Sequence, residues 1–242
     1  MKVQNSLLNY QNLKIIQNSE MFKFSLDSIL LPNFITINKN IKTILDIGCG
    51  NAPIPLILST MTKAKIIGVE IQTEVAKLGK ESIKINHLED QITIINDDIN
   101  TLSNKWSTNT FDIITCNPPF FKIYKNSNLN QNLYLTKARH EINLTLEQLV
   151  KISSKLLKNK GILGIVHRPE RLIEIIMLLK KYNLEPKKIQ FVYPKIEKES
   201  NMILVEAVKN GNGGLKIKKP LIVHKSNGEY TDEMKNYFER KK

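Results

Sequence analysis

The sequence predicts an α/β fold built on a mostly parallel, doubly wound sheet with helices on both faces. Short apolar runs of strand length alternate with helical stretches, the links between them are short, and the first of these strands ends in a glycine-rich turn. With 242 residues, 41% of them apolar, the chain can bury a full core, and it lacks the second large domain that a dehydrogenase uses for its substrate. No internal repeat is present.

The first strand is Thr43 to Ile47, continuous and apolar apart from Asp46, as expected of a buried parallel strand. Gly48, Gly50 and Ala52 then let the backbone turn sharply against a ligand. A helix from about Pro53 to Met61 follows, with Pro53 or Pro55 in its first turn, where the missing N–H is harmless. Lys65 to Glu70 is the second strand. It ends in an acid 24 residues after Asp46, a place from which a carboxylate can accept hydrogen bonds from both hydroxyls of a ribose. A glycine-rich turn with an acid beyond it suits a nicotinamide cofactor equally well. Asp46, inside the strand, fits an ammonium-bearing ligand better than a pyrophosphate, which prefers an open helix N-terminus.

A helix from about Gln72 to Asn86 leads to the third strand, Ile92 to Ile95, and then to Asn96-Asp97-Asp98-Ile99. At least one of the two Asp residues is expected to cap a helix. A carboxylate there can also accept a hydrogen bond from an exocyclic amine such as that of adenine, and Asp98 is the expected contact.

The fourth strand, Phe111 to Cys116, runs into Asn117-Pro118-Pro119-Phe120. A side-chain amide, rigid backbone carbonyls and a flat apolar ring thereby meet at the carboxyl edge of a sheet, which is equipment for gripping a planar amine. An amphipathic helix is expected from Leu144 to Lys158, with Glu141 near its start. Gly161 to His167 is the fifth strand, Pro169 to Tyr182 a helix, and Gln190 to Tyr193 with Met202 to Val208 the last strands, paired as a hairpin.

The formal charge of +13 includes 32 Lys among 36 basic residues, a bias that an AT-rich genome produces without selection for binding. Its distribution is more informative. Residues 41–119 carry 7 basic and 9 acidic side chains, whereas residues 120–179 carry 10 and 4, and residues 180–242 carry 15 and 8. Compositional drift does not spare one half of a chain, so the excess reads as a footprint for a polyanion, namely nucleic acid. Lys216, Lys218, Lys219 and the tail Lys241-Lys242 are candidate phosphate contacts. Cys49 and Cys116 form no Cys-x-x-Cys pair and read as reduced packing residues. His87, His167 and His224 lack ligand spacing and read as structural, and Trp106 as loop packing. Neither a signal peptide nor a membrane-length apolar segment is present, so a cytoplasmic protein is expected.

The order Asp46-x-Gly48-x-Gly50, then Glu70, then Asp97-Asp98, then Asn117-Pro118-Pro119-Phe120 resembles the S-adenosylmethionine-dependent methyltransferases that modify exocyclic amino nitrogens. More narrowly, the chain resembles the bacterial tRNA (adenine-N6)-methyltransferases that act on the purine 3′ to the anticodon of a valine tRNA. The supporting segments are Phe22 to Leu31, Ala138-Arg139-His140-Glu141, Leu204-Val205-Glu206, Pro220 to Val223 and Gly228 to Thr231. Asn51-Ala52 departs from the pattern, since relatives more often carry a small residue and a third glycine there. Ala still fits a close turn.

The resemblance implies the Rossmann-like class I methyltransferase fold, a seven-stranded sheet whose last strand is antiparallel. It implies a methyltransferase domain over residues 41–210, an N-terminal extension and helix over 1–40 packed near the cofactor site, and a basic segment over 211–242 completing the fold. S-adenosylmethionine is then the cofactor. Asp46 answers its amino-acid portion, Gly48 and Gly50 allow close approach, Glu70 with neighbouring Ile71 holds the ribose, and Asp98 the adenine. Asn117 also borders the cofactor, and Asp27 in the N-terminal helix either closes the pocket or makes a simple contact at the start of that helix. For the substrate, the side-chain oxygen of Asn117 and the carbonyl of Pro118 each accept an N6 hydrogen, aiming the nitrogen lone pair at the methyl. Phe120 stacks on the base, which must leave its own stack to reach the pocket. Arg139 and His140 grip phosphate or a base edge, and Lys122 adds a further RNA contact. The stretch Lys122 to Lys137 is expected to be disordered without substrate and to order partly over RNA, with Tyr124 or Tyr134 stacking on a base. The partner is a tRNA anticodon stem-loop, the chain is expected to act as a monomer, and the reaction requires neither a metal nor a catalytic His.

Three other readings compete. A protein glutamine amide, a ribosomal guanine or a DNA adenine also presents a planar amine to Asn117. The basic half favours nucleic acid, and the absence of a large DNA-recognition domain favours RNA. A noncatalytic RNA-binding module would be expected to lose Asp46, Gly50 or Asn117, and all three are intact. A nicotinamide-linked oxidoreductase lacks a Tyr-Lys or His-acid pair near the sheet edge.

Overall fold

The computed structural model describes residues 2–7, 12–18, 25–118 and 144–238. The chain starts with a two-stranded antiparallel hairpin, β1 (Lys2–Ser6) and β2 (Lys14–Asn18), followed by α1 (Leu26–Phe34). Strands and helices then alternate: β3 (Thr43–Ile47), α2 (Pro53–Ser59), β4 (Lys65–Glu70), α3 (Thr73–Ile85), β5 (Ile92–Asn96), α4 (Ile99–Leu102) and β6 (Phe111–Cys116). After residue 143 come α5 (Leu146–Leu156), β7 (Leu157–His167), a short 3-10 turn (Pro169–Arg171), α6 (Leu172–Lys181), β8 (Leu184–Tyr193) and β9 (Met202–Lys209). Two-residue strands β10 (Lys216–Ile217) and β11 (Leu221–Ile222) precede α7 (Asp232–Phe238).

The main sheet runs β8-β9-β7-β6-β3-β4-β5, with β9 antiparallel to both neighbours and the other pairs parallel. This is the expected seven-stranded arrangement with its last strand reversed. β10 and β11 extend it by pairing in parallel with the outer side of β8.

Alternation along the strands divides the core between two faces. Ile44, Ile66, Ile113 and Val166 pack in one cluster with Leu30 of α1, Leu56 of α2 and Ile83 of α3. Leu45, Val69, Ile114 and Ile165 pack in the other with Leu149 of α5 and Leu179 of α6. A strand buried on both faces reads as a continuous apolar run, which is why β3, β4 and β6 match their expected bounds.

Boundaries differ where polarity hides a strand. β8 begins six residues before the expected Gln190, through Glu185-Pro186-Lys187-Lys188. The missing N–H of Pro186 is absorbed by a register shift between Pro186 and Lys188. β7 likewise begins at Leu157, directly at the C-cap of α5, which spans 11 residues, fewer than expected. The N-terminal hairpin had no signal in the sequence because β1 is exposed along its whole length.

α1 is secured to the sheet at its C-terminal end. A Cβ on Gly164 of β7 would lie 2.4 Å from Cγ2 of Ile35, so glycine is what lets this segment approach the strand. Just beyond, the Thr36 N–H and hydroxyl donate to buried Glu206 of β9 at 2.6 and 3.0 Å, and Lys188 pairs with the same carboxylate at 2.9 Å.

Candidate active site

The glycine turn leaves the carboxyl end of β3 with three consecutive left-handed positions in alternation: Gly48 (φ 70°), Gly50 (φ 58°) and Ala52 (φ 73°). Among the described residues, nothing lies within 4 Å of where a Cβ on Gly48 or Gly50 would stand. Ala52 caps α2 in this conformation, and Pro53 takes the first helical position. The turn is braced from two sides. The Gly48 and Cys49 N–H groups donate to the carbonyl of Val69 at 2.8 and 3.0 Å, and the Gly50 N–H donates to Oε2 of Glu70 at 3.0 Å.

Glu70, only 6% exposed, also accepts from the Gln72 N–H at 2.8 Å through Oε1. Burial raises its carboxyl above the ordinary range, with the Gln72, Gly50 and Ile71 N–H groups opposing the shift. Asn96, opposite Glu70 on β5, donates to the carbonyls of Glu70 and Ile71 at 2.9 and 3.2 Å and fixes the backbone there, while the Ile71 side chain is exposed.

Asp46, 1% exposed, faces Thr115 across the β3–β6 pairing and accepts its hydroxyl at 2.6 Å through Oδ1. Oδ2 is buried with no hydrogen-bond partner among the described residues. Burial raises the Asp46 carboxyl to about 7, the Thr115 bond opposes this, and the Glu70 charge adds to it. An orphaned carboxylate oxygen behind an open glycine turn is a site awaiting a donor.

Asp98 is the N-cap of α4: its Oδ1 accepts from the Asn100 N–H at 2.9 Å, so the capping role expected for one of the two Asp residues falls to it. Asp97 accepts from the Asp98 N–H at 2.8 Å. Asn117 is half-buried and Pro118 buried, immediately past β6. The Asn117 Nδ2 donates to Oδ2 of Asp27 at 2.9 Å, and the Ser25 hydroxyl donates to Oδ1 of the same carboxylate. Asp27 thus meets the Asn117 amide, a contact that its expected place in the cofactor pocket did not include.

Sequence reasoning missed Asn51, Thr115 and Asn96. Asn51 is the departure from the family pattern, and its Nδ2 donates to the carbonyl of Ile16 at 2.8 Å, joining the N-terminal hairpin to the glycine turn. Its odd placement was the available signal.

The candidate phosphate contacts Lys216, Lys218 and Lys219 are exposed but sit at the β10 edge, four strands from β6. At about 4.8 Å per strand this is roughly 20 Å from Asn117. Phe120, Lys122, Arg139 and His140 lie outside the described residues, as do Tyr124, Tyr134, Glu141, the 122–137 stretch and Lys241-Lys242.

Both cysteines are free and buried, and burial pushes their thiols well above the usual range. His224 stacks on Tyr230 with centroids 4.7 Å apart, His167 is buried at the end of β7, and Trp106 meets Phe111 edge-on at 5.2 Å. Among the described residues no group of three or more His, Cys, Asp or Glu could hold a metal ion. No helix among them is long and apolar enough to cross a membrane.

Known proteins match both sequence and fold. A family model described as a methyltransferase domain matches residues 38–237. A tRNA1(Val) (adenine(37)-N6)-methyltransferase of Porphyromonas gingivalis is 30% identical over 194 residues, covering 78% of this chain and 75% of that protein. Its counterpart in Aeromonas hydrophila is 25% identical over 232 residues, covering 95% and 94%. Among solved structures, a predicted O-methyltransferase from Agrobacterium tumefaciens superposes with a TM-score of 0.69 at 18% identity, over 88% of this chain and 95% of that one. TYW2 of Pyrococcus horikoshii in complex with MeSAdo superposes with a TM-score of 0.60 at 14% identity, over 87% and 72%. On this likeness the chain belongs to the methyltransferase-domain proteins, in the family of the tRNA1(Val) (adenine(37)-N6)-methyltransferases.

Proposed function

We propose that this chain methylates the N6 amino group of an adenine in tRNA, at position 37 of a valine tRNA, using S-adenosylmethionine. The observation that carries the reading is one of register. Ile47 pairs with Cys116 in parallel strands, so the next residues of those strands are the glycine turn and Asn117-Pro118. A methyl donor on the turn and an amine held by Asn117 then stand side by side.

The residues present fit the cofactor. The orphaned Asp46 Oδ2 answers an ammonium, the open space at Gly48 and Gly50 admits the ligand against the backbone, Glu70 with Ile71 holds the ribose, and Asp98 the adenine through the oxygen that does not cap α4. When bound, the cofactor supplies an electrophilic methyl on a positively charged sulfur. The chain's own work is orientation: Oδ1 of Asn117 and the Pro118 carbonyl accept the two N6 hydrogens, favour a tetrahedral nitrogen and direct its lone pair. Phe120 stacks on the base, and Lys122, Arg139 and His140 hold the adjoining RNA. Lys216, Lys218 and Lys219 contact phosphates well away from the target base, in keeping with an anticodon stem that extends beyond its loop. We read residues 41–210 as the catalytic domain, 1–40 as its N-terminal extension and 211–242 as the closing segment, in a monomeric, metal-free cytoplasmic enzyme.

The test is transfer of labelled methyl to unmodified total tRNA, ribosomal RNA and duplex DNA, with Asn117→Ala alongside and products digested to nucleosides for mass spectrometry. N6-methyladenosine in tRNA alone, absent with the variant, is the expected result. No product on any nucleic acid despite cofactor binding overturns the reading and redirects it to protein amides.

A further inference from the structure

We propose that Asp27 is a positioning residue for Asn117: its carboxylate holds the amide nitrogen and so forces the amide oxygen toward the substrate amine. The inference rests on the function proposed above for Asn117. An Asn amide has two nearly isosteric orientations that differ by exchange of oxygen and nitrogen. Only one presents an acceptor to an incoming amine, whereas the other presents N–H to N–H and is repulsive.

The structure supplies the discriminating partner. Asp27 is 3% exposed in the first turn of α1, and both of its oxygens are engaged, Oδ1 by the Ser25 hydroxyl and Oδ2 by the Asn117 Nδ2 at 2.9 Å. A carboxylate only accepts, so the amide nitrogen must face it, and Oδ1 of Asn117 faces away. A hydrogen bond to a carboxylate is stronger than one between neutral groups and leaves the amide oxygen more electron-rich. α1 is itself held on the sheet by Ile35 against Gly164 and by Thr36 on Glu206, so the N-terminal segment becomes part of the catalytic apparatus although 90 residues separate Asp27 from Asn117.

The experiment has an activity arm and an arm that needs no substrate. In the first, Asp27→Ala lowers kcat on the order of 10²-fold, leaves cofactor affinity by calorimetry within a few fold, and Asp27→Asn recovers to within tenfold of wild type because its oxygen accepts the same bond. An unchanged kcat in folded Asp27→Ala overturns the proposal. So does a loss of cofactor affinity that accounts for the loss of kcat, which would return Asp27 to the cofactor pocket, and so does an Asp27→Asn variant as slow as Asp27→Ala. In the second arm, the Asn117 side-chain amide is observed by NMR in the wild-type protein and assigned by its loss in Asn117→Ala. Of its two proton signals, one is expected to be shifted downfield and slow to exchange with water, and a pair at unperturbed positions that both exchange fast overturns the proposal even if Asp27→Ala does not fold. A wild-type protein that methylates no nucleic acid but shows the protected amide would sink the proposed function and leave the Asp27–Asn117 latch standing.

Discussion

Thr115 of β6 donates its hydroxyl to Oδ1 of Asp46 of β3 at 2.6 Å, from the residue directly opposite in the parallel pairing. That single bond orients a carboxyl whose other oxygen is buried without a partner among the described residues, and burial raises the group from 3.8 to about 7. Between those values the folded state holds a proton that the unfolded chain has released. Stability is therefore greatest at the acidic end of the window and falls as pH rises from about 4 to about 7, by as much as about 4 kcal/mol for a shift of about three units. Asp46→Asn flattens this slope and is more stable than wild type at pH 8, as thermal melts across pH 5 to 8 would read. The same titration predicts that cofactor binding strengthens through pH 7 and releases a proton, measured by calorimetry in buffers of different ionisation enthalpy.

Glu206 is the hub that holds the end of α1 to β8 and β9. Its removal in Glu206→Ala leaves the Lys188 ammonium and the Thr36 N–H without their shared acceptor. A loss of about 3 kcal/mol or more is expected in chemical denaturation. A loss below about 1 kcal/mol would show that water replaces the carboxylate at no cost.

Gly164 and Ile35 test the same attachment by sterics. Gly164→Ala places a methyl 2.4 Å from Cγ2 of Ile35 and is expected to cost about 1–3 kcal/mol. Ile35→Ala removes that methyl, so the double variant should be more stable than the sum of the two single effects by at least about 1 kcal/mol. Simple additivity would mean the strand, not the side chain, gives way.

Ala52 stands in a left-handed conformation at φ 73°, fully buried at the start of α2. Its Cβ costs about 1–2 kcal/mol there, offset in part by the greater freedom of glycine in the unfolded chain. Ala52→Gly is expected to stabilise the protein by up to about 1 kcal/mol without changing cofactor affinity, read by urea denaturation and calorimetry.

Loss of the Asn51 amide should loosen the N-terminal hairpin selectively. Asn51→Ala frees the Ile16 carbonyl and removes one of the bonds tying β2 to the body, leaving the Ile16 N–H donating to the Ser82 hydroxyl oxygen at 3.0 Å. Amide hydrogen exchange should quicken over β1 and β2 by about fivefold while the main sheet is unchanged, a local opening penalty of about 1 kcal/mol. Equal quickening throughout would make Asn51 a global determinant.

What the sequence by itself determined is local. β3, β4 and β6 match their expected ends because a strand buried on both faces is a continuous apolar run that closes at a glycine, an acid or an Asn-Pro. The glycine turn followed from residue chemistry alone, and so did the end of β4 at Glu70. What only the tertiary structure decided is which distant groups meet. Asp27 reaches Asn117 across 90 residues, Asn51 reaches Ile16 across 35, and Thr36 reaches Glu206 across 170. A hydrogen bond between separated positions leaves no periodicity in either segment. The hairpin leaves no trace in the sequence because exposed β1 carries no apolar alternation, and the three lysines near residue 217 lie far from Asn117 because the sheet order, not the order of residues, sets distance along its edge.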